Sequence, residues 1–351
     1  MKAGFKLRII DWVVPLGFGL ALWLVAPLST GLQFGGDEGY ELMKALLVSR
    51  GHALYGPFWN DQPPLHTELV ALLFRVFGPS ALAGRLVSVG FAMLLVVALY
   101  GLASERSGRV AGLVAVGLLV AAPDFLVLSV SVMLEMPAMA MGLAAAWAWS
   151  KYDRGGGWRR LMASGVLFGC ALQVKLTAMI LGPALVVDWV ARQLLSRRGQ
   201  GSATGRRGLA AVSEGLVWAG AVVVAFGLIG LAFYRQDTVE VFWRSHFSTG
   251  TRAATVADSY EFRVGAMVNE FALVVPAAAG GIILIGWQRR RDLLFPVVML
   301  GTVLAVHWVE RPYWPYYGLH FAVPLAWLGG VGVVEGFRLL WRQELGTTIW
   351  R

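Results

Sequence analysis

Two adjacent carboxylates, Asp37 and Glu38, follow the first long apolar run of the sequence, which ends near Thr30. A carboxylate can act as a general base, because it can take the proton from a hydroxyl group as that group attacks. The short connection keeps the pair near the end of the apolar run. An acidic pair also suits the first turn of a helix, where the helix dipole favours negative charge. This second interpretation does not exclude chemistry, and Asp37 is the candidate base.

Four further ionisable residues stand in apolar or aromatic surroundings. Asp61 precedes a Gln-Pro-Pro sequence, and Glu135 has purely apolar neighbours. Lys175 separates two short apolar runs, and Arg311 lies among aromatic residues. Guanidinium and ammonium groups can stabilise the charge that develops on a departing phosphate. Structural roles are also open, namely a helix-entry charge for Glu135, snorkelling for Lys175 and a membrane-interface belt for the aromatic residues.

The composition is that of a membrane protein. Of the 351 residues, 57% are hydrophobic and only 15% are charged, whereas charged residues make up about a quarter of a soluble domain. Apolar runs of about 20 residues recur, the length at which a helix crosses the hydrocarbon core. The sequence predicts an all-α integral membrane protein with one polytopic domain over residues 1–351 and no C-terminal soluble domain. Ten spans are predicted, over residues 9–30, 82–103, 110–122, 135–150, 161–172, 177–190, 209–234, 265–287, 293–309 and 316–337.

The distribution of charge predicts the orientation. The net charge is +9, and cytoplasmic loops normally carry the excess of Lys and Arg. The segments near both ends and the basic loop within 188–214 hold this excess. Both termini are therefore predicted to be cytoplasmic, in a cell (inner) membrane, and the basic loop is assigned to topology rather than to nucleic-acid binding. The candidate acids and all five histidines then fall on the outer (periplasmic) side, so the chemistry is predicted to face outward.

Two outer loops are predicted to surround the site. The first, over 32–81, holds a helix over residues 40–49 and an amphipathic surface helix that starts behind Pro63-Pro64. His66 is predicted on the polar face of that second helix. The other loop, over 235–263, contains His246 and is a candidate lid, although an ordinary solvated loop is the simpler interpretation.

These features suit the transfer of a sugar from a lipid carrier. A lipid-phosphate-linked sugar presents its anomeric carbon at the membrane interface while its tail lies in the bilayer. Outward-facing carboxylates and cations near the membrane surface could therefore reach the reacting atoms. The sequence has no Gly-rich phosphate loop and no GxGxxG after a strand, which favours a lipid-borne donor over a nucleotide-sugar.

The motifs and their order resemble the GT-C superfamily of polyprenyl-phosphate-sugar-dependent glycosyltransferases. Within that superfamily they resemble in particular the protein O-mannosyltransferase and aminoarabinose-transferase group, families 39 and 83. The matching elements are Asp37-Glu38, Asp61-Gln62-Pro63-Pro64-Leu65, Arg85-Leu86, Glu135, Val174-Lys175-Leu176-Thr177 and the stretch from Arg311 through Tyr317 to Pro324. Two positions depart from the group's pattern: Gln62 stands where some relatives have lysine, and Glu135 where aspartate is usual.

The resemblance implies a GT-C-type helical bundle and a transfer that inverts the anomeric carbon. Asp37 would be the general base, while Glu38 and Glu135 would support the acceptor site or a metal. The implied ligands of the donor phosphate are Lys175, Arg311, Arg85, Asp61 and Tyr317. A divalent cation stays open as a cofactor, with Asp61, Glu135 and His246 as candidate ligands.

The implied partners are a polyprenyl-phosphate-sugar donor and a lipid, glycan or protein acceptor. The chain lacks the C-terminal extension of many relatives, so a protein partner is also expected. Two other classes stay open: a transporter or lipid-carrier flippase, and a non-catalytic membrane scaffold subunit. A transporter would be expected to repeat its broken helices in two halves, and only the break at Gln173–Lys175 resembles such a feature.

Overall fold

The computed structural model describes most of the chain. The described residues are 8–30, 35–55, 58, 60–155, 157–198, 204–233, 240, 261–288, 290–310 and 312–349. Every regular element within these ranges is helical, which confirms the all-α prediction. Arg311, His246 and most of the candidate lid lie outside the described residues.

Fourteen α-helices are described in this part of the chain. They are α1 (Val13–Val25), α2 (Gly35–Ser49), α3 (Leu65–Phe77), α4 (Ala81–Ser107), α5 (Arg109–Val120), α6 (Phe125–Ser129), α7 (Glu135–Asp153), α8 (Trp158–Val174), α9 (Gly182–Arg198), α10 (Thr204–Phe233), α11 (Val264–Glu270), α12 (Val274–Gln288), α13 (Leu294–Val309) and α14 (Gly318–Ile349). Short 3-10 helices cover Ile9–Trp12, Leu176–Leu181, Arg291–Leu293 and Pro315–Tyr317.

Several helices are long and apolar enough to cross a membrane, as expected for a multi-pass membrane protein. By length and composition, three helical segments of the described chain qualify: Ala81–Ser107, Ala210–Phe233 and Pro315–Trp341. A fourth span is formed if α11 and α12, which meet at a bend of 104°, count as one. Helices α1, α5 and α13 are apolar but shorter. The predicted number of ten spans is not confirmed and stays a prediction.

Close backbone contact joins the last helix to its neighbours. A Cβ atom on Gly332 of α14 would lie 2.5 Å from the backbone nitrogen of Gly281 in α12. A Cβ atom on Gly330, on the same helix, would lie 2.7 Å from the carbonyl oxygen of Ala111 in α5. Small residues at such crossings let helices approach closely, which is how membrane helices gain packing contacts in the absence of water. Helix α14 is thereby held directly against α5 and α12.

A break in the helical chain occurs where the sequence predicted two short spans to meet. Helix α8 ends at Val174, and Lys175 takes an extended conformation before the 3-10 helix Leu176–Leu181 leads into α9. The side chain of Gln173 donates a hydrogen bond to the carbonyl oxygen of Phe226 in α10, at 2.8 Å. The interruption therefore presents the Lys175 side chain from a fixed position between two helices.

Helices α2 and α3 differ from their predicted form in two respects. Helix α2 begins at Gly35 rather than at residue 40, so the acidic pair lies inside its first turn. His66 of α3, which is predicted on the polar face, is fully buried against the protein. The apolar residues Leu72 and Val76 are exposed instead. Periodicity alone could not tell which face of α3 packs on the rest of the chain.

We expect Gly332→Ala to destabilise the protein, because the added methyl group would clash with backbone atoms of α12, and no side-chain rotation can relieve that clash. Overpacking of this kind costs roughly 1–3 kcal/mol. Gly336→Ala on the same helix is the matched control, since a Cβ there has no neighbour within 4 Å. Thermal unfolding in detergent measures both. Equal unfolding temperatures for the two variants would contradict this packing.

Candidate active site

The two acidic residues at the start of α2 point to different surroundings. Neighbouring residues of a helix project about 100° apart. Glu38 is fully buried, whereas Asp37 is exposed and lines a polar cavity. The helix therefore separates the pair that the sequence presents together, and only Asp37 is open to a ligand.

Glu38 forms a bidentate ion pair with Arg85 of α4. The Nε and Nη2 atoms of Arg85 donate to the two carboxylate oxygens at 2.7 and 2.8 Å, and both side chains have no exposed surface. The backbone N–H of Val132 also donates to Glu38, at 3.2 Å. Nη1 of Arg85 donates to three carbonyl oxygens, those of Pro27, Leu28 and Thr30.

These contacts assign Glu38 and Arg85 a structural role. Neither residue lines the polar cavity that Asp37 lines. The pair instead ties the end of the first apolar segment, α2, α4 and the chain before α7 to one another. The expected roles of Glu38 near the acceptor and of Arg85 near the phosphate stay predictions.

The polar cavity has a volume of about 280 Å³. Residues from five parts of the chain line it: Asp37, Tyr40 and Glu41 from α2, Asp61 and Gln62 from the following loop, Met133, Leu134 and Glu135 at the start of α7, Lys175 at the helix break, and Trp314 and Tyr316 before α14. Four of the predicted site residues, Asp37, Asp61, Glu135 and Lys175, thus meet in one space. Each comes from a different loop or helix end.

Lys175 and Glu135 form a buried ion pair at this cavity. The ammonium group donates to Oε1 of Glu135 and lies 4.9 and 5.2 Å from the ring centres of Tyr316 and Tyr317. Burial by itself would lower the pKa of Lys175, but the adjacent Glu135 carboxylate outweighs this effect and the pKa is raised. Lys175 is therefore a fixed positive charge, which suits the recognition of a phosphate.

A second lysine–carboxylate pair, absent from the sequence-based prediction, adjoins the same cavity. Nζ of Lys44 donates to Oε1 of Glu41 at 2.6 Å and to Oδ1 of Asn60 at 3.0 Å, and Lys44 is almost completely buried. Burial raises the pKa of Glu41, an effect that Lys44 opposes. The spacing could have signalled this pair, because Asp37, Glu41 and Lys44 recur on one face of α2 at intervals of three and four residues.

The loop that carries Asp61 is held by its own polar contacts. The amide of Asn60 donates to the carbonyl oxygen of Gln62 at 2.7 Å, and the hydroxyl group of Tyr55 donates to the same oxygen. His66 lies behind this loop with no exposed surface, and burial lowers its pKa to about 3. His66 is accordingly neutral at physiological pH.

A larger cavity of about 950 Å³ begins at the two residues that follow Lys175 in sequence. Leu176 and Thr177 line it, together with predominantly apolar residues of α8, α9, α10 and α13.

Two buried histidines, His307 and His320, lie at its wall with their facing ring nitrogens 3.1 Å apart. Tyr317 stacks on both rings, at 5.0 and 5.2 Å between centres. Tyr317 thus connects Lys175 to the histidine pair.

The candidate metal ligands do not fit a metal well. Asp61 and Glu135 line the same cavity, but Glu135 already accepts from the Lys175 ammonium group, and a positive charge there opposes a second cation. Within the described residues, no three His, Cys, Asp or Glu side chains are grouped as metal ligands. The third candidate, His246, lies outside those residues.

Comparisons with known proteins agree with this architecture. Residues 61–218 match the family model described as dolichyl-phosphate-mannose-protein mannosyltransferase. A comparison with curated protein sequences found no match. The crystal structure of ArnT from Cupriavidus metallidurans bound to undecaprenyl phosphate has a TM-score of 0.68 at 19% identity, over 93% of this chain and 60% of that one.

Two further structures share the fold. The oligosaccharyltransferase of Archaeoglobus fulgidus has a TM-score of 0.60 at 14% identity, over 97% of this chain and 51% of that one. The Pmt1–Pmt2 protein O-mannosyltransferase complex of S. cerevisiae, bound to the sugar donor, has a TM-score of 0.52 at 16% identity, over 68% and 35% of the respective chains. The predicted resemblance is confirmed at the level of the fold, and the chain spans 60% of the length of ArnT from C. metallidurans.

We expect Glu38→Gln to lower the unfolding temperature markedly, because it leaves the buried Arg85 charge without its counterion. Removing one partner of a buried ion pair costs about 3–5 kcal/mol. Glu68→Gln is the matched control, since Glu68 lies 4.0 Å from a half-exposed Arg75 and such a pair contributes about 0–1 kcal/mol. Thermal unfolding in detergent compares them. A loss no larger for Glu38 than for Glu68 would refute the structural role of the pair.

Proposed function

We propose that this chain, which has the GT-C fold, transfers a sugar from a polyprenyl-phosphate donor to an acceptor at the outer face of the membrane. One observation carries the proposal: Asp37, open to a ligand, shares a cavity with the Lys175–Glu135 pair, and a large apolar cavity begins beside Lys175. A base, a phosphate-binding cation and a space for a lipid chain are thereby adjacent. A transporter or a scaffold would not require this combination.

The donor lipid would occupy the apolar cavity and its phosphate would approach Lys175. Leu176 and Thr177 of the apolar wall follow Lys175 directly in sequence, which supports this placement of the phosphate. ArnT from C. metallidurans was solved with undecaprenyl phosphate and the Pmt1–Pmt2 complex with its sugar donor, which supports a carrier of this class here. The sugar would then lie in the polar cavity.

The reaction follows from these positions as a single displacement. The acceptor hydroxyl attacks the anomeric carbon, Asp37 takes the hydroxyl proton, and the bond between the anomeric carbon and the phosphate oxygen breaks. The electron pair of that bond goes to the phosphate, so the product is polyprenyl phosphate with one more negative charge. Attack from the face opposite the phosphate inverts the anomeric carbon.

The departing phosphate requires positive charge and hydrogen-bond donors that are already in place. Lys175 supplies the charge, and the Tyr317 ring beneath it limits the directions that the ammonium can take. Glu135 orients Lys175 and keeps it protonated. Asp61, in the same cavity, is assigned to the neighbourhood of the phosphate, and Arg311 remains a further phosphate ligand in this proposal.

The orientation in the membrane is part of the proposal. Both termini are assigned to the cytoplasm and the polar cavity to the outer face, on the excess of Lys and Arg in the predicted inner segments. The acceptor is a lipid, a glycan or a protein on that face. A protein partner that helps to bind the acceptor is also part of this proposal.

We expect Asp37→Asn to abolish measurable transfer while the protein stays folded, because the amide cannot take the proton of the acceptor. Loss of the general base should lower the rate of sugar transfer by about 10²–10⁴-fold. The measurement is release of polyprenyl phosphate from a panel of synthetic polyprenyl-phosphate-sugars, in the presence of an extract of cell-envelope acceptors.

Asp124→Asn is the matched control for this substitution. Asp124 lines a different polar cavity, with Glu270 and Tyr313, and asparagine tolerates its left-handed backbone (φ 56°). The control should transfer at the wild-type rate. Equal rates for Asp37→Asn and wild type would remove Asp37 from the mechanism.

We expect Val222→Trp to weaken the use of long-chain donors, because the indole would fill part of the apolar cavity that Val222 lines. Excluding a few methylene groups of the chain should raise KM by about 10-fold or more, at roughly 0.8 kcal/mol per methylene. A donor with a short chain should be used as before. Val224→Trp on the same helix is the control, since Val224 is 58% exposed and is not part of that wall. An unchanged KM for long chains would place the lipid elsewhere.

A further inference from the structure

Two glutamates of the polar cavity each have only one of their two carboxylate oxygens hydrogen-bonded. Oε1 of Glu41 accepts a hydrogen bond from the buried Lys44, and Oε1 of Glu135 accepts one from the buried Lys175. The second oxygen, Oε2, is buried in both residues and has no hydrogen-bond partner in the described part of the chain. The two side chains are at least nine-tenths buried, and both residues line the cavity.

An unpaired, buried carboxylate oxygen calls for a hydrogen-bond donor. Leaving such an atom unsatisfied is costly in a site of low dielectric constant. The charge of the cavity also restricts what can enter. Among the described residues, four carboxylates line it, those of Asp37, Glu41, Asp61 and Glu135, against the ammonium group of Lys175 and that of Lys44, which is bonded to Glu41. Away from the Lys175 ammonium group, to which the phosphate is assigned, a ligand group beside these glutamates must donate hydrogen bonds and must not bring a negative charge.

We propose that Oε2 of Glu41 and Oε2 of Glu135 accept hydrogen bonds from hydroxyl groups of the donor sugar, and that Glu41 determines which sugar is used. This inference rests on the proposed function and deepens it. The sugar class that follows is a ring with free hydroxyl groups at both contact points and without an acidic substituent. Rings with an acidic substituent, such as uronic acids, are excluded by the carboxylates.

The surroundings of Glu41 hold its carboxylate in one orientation. Lys44 lies one turn further along α2 and is itself bonded to Asn60, next to Asp61. The Lys44 ammonium also lies 4.8 Å from the ring centre of Tyr40, and Tyr40 lines the cavity as well. With Oε1 engaged by Lys44, the remaining oxygen keeps a fixed position relative to Asp37, one turn earlier on the same helix. A fixed acceptor near the base can select one ring orientation.

The alternative is that Glu41 only neutralises Lys44. That role would affect folding stability but would not depend on which hydroxyl groups the sugar carries. Sugar selectivity therefore distinguishes the two roles. A series of donors that each lack one hydroxyl group provides the measurement.

The experiment compares kcat/KM for this deoxy-sugar series with purified wild type and Glu41→Gln. Wild type should use one deoxy donor about 10- to 100-fold less well than the parent, the usual effect of losing a hydrogen bond to a charged group. Glu41→Gln should lose a similar factor with the parent donor and show little further loss with that deoxy donor. Wild type should not use the matching uronic acid donor. Glu270→Gln, at the other polar cavity, should retain the wild-type profile.

The outcomes separate this inference from the proposed function. Transfer by wild type, with the same deoxy-sugar profile in wild type and Glu41→Gln, overturns the inference alone. Loss of transfer with EDTA and its return with Mn²⁺ also overturns it, because the free oxygens would then bind a cation. No transfer by wild type from any donor overturns both. If Glu41→Gln does not fold, the joint replacement Glu41→Leu/Lys44→Met removes the pair without leaving a buried charge and is tested against the same series.

Discussion

The buried ion pair between Arg85 and Glu38 is the constraint on which the site depends. It joins residues 47 positions apart, and the guanidinium also donates to three neighbouring carbonyl oxygens. A charge in such a place is tolerated only when it is paired and fully hydrogen-bonded. The first turn of α2 is thereby fixed against α4, and the residue before Glu38 is turned into the cavity. The position of Asp37 is a consequence of this pairing.

The same physical rule shapes the remainder of the cavity. Each lysine beside it, Lys44 and Lys175, is buried and each is paired with a glutamate. Lys175 can occupy its place because the helix is interrupted there, which lets a charged side chain reach the polar cavity from between two apolar segments. Irregular backbone in a membrane protein is tolerated where it lines a cavity. The break thus places Lys175 in the wall of the polar cavity and the next two residues in the wall of the apolar one.

Features that are local in sequence could be predicted, and features that depend on distant pairing could not. The apolar runs indicated a helical membrane protein, and the short motifs around Asp37, Asp61 and Lys175 indicated the GT-C resemblance. The break at Lys175 was visible as a polar interruption. The partner of Glu38 was not visible, because no local pattern indicates that Arg85 will meet it. The pairing of Glu41 with Lys44 was overlooked because their spacing also fits an ordinary solvated helix. The burial of His66 was not predicted, because periodicity does not say which face of a helix is buried.

The most direct test of this account is a structure of the protein with a non-transferable donor analogue, a polyprenyl phosphonate-linked sugar, determined by electron cryo-microscopy in lipid nanodiscs. The account predicts that the phosphorus atom lies beside Lys175, that the chain occupies the apolar cavity, and that the anomeric carbon faces Asp37. An analogue bound with its phosphorus atom away from Lys175, or with its sugar in the cavity lined by Asp124, would contradict it.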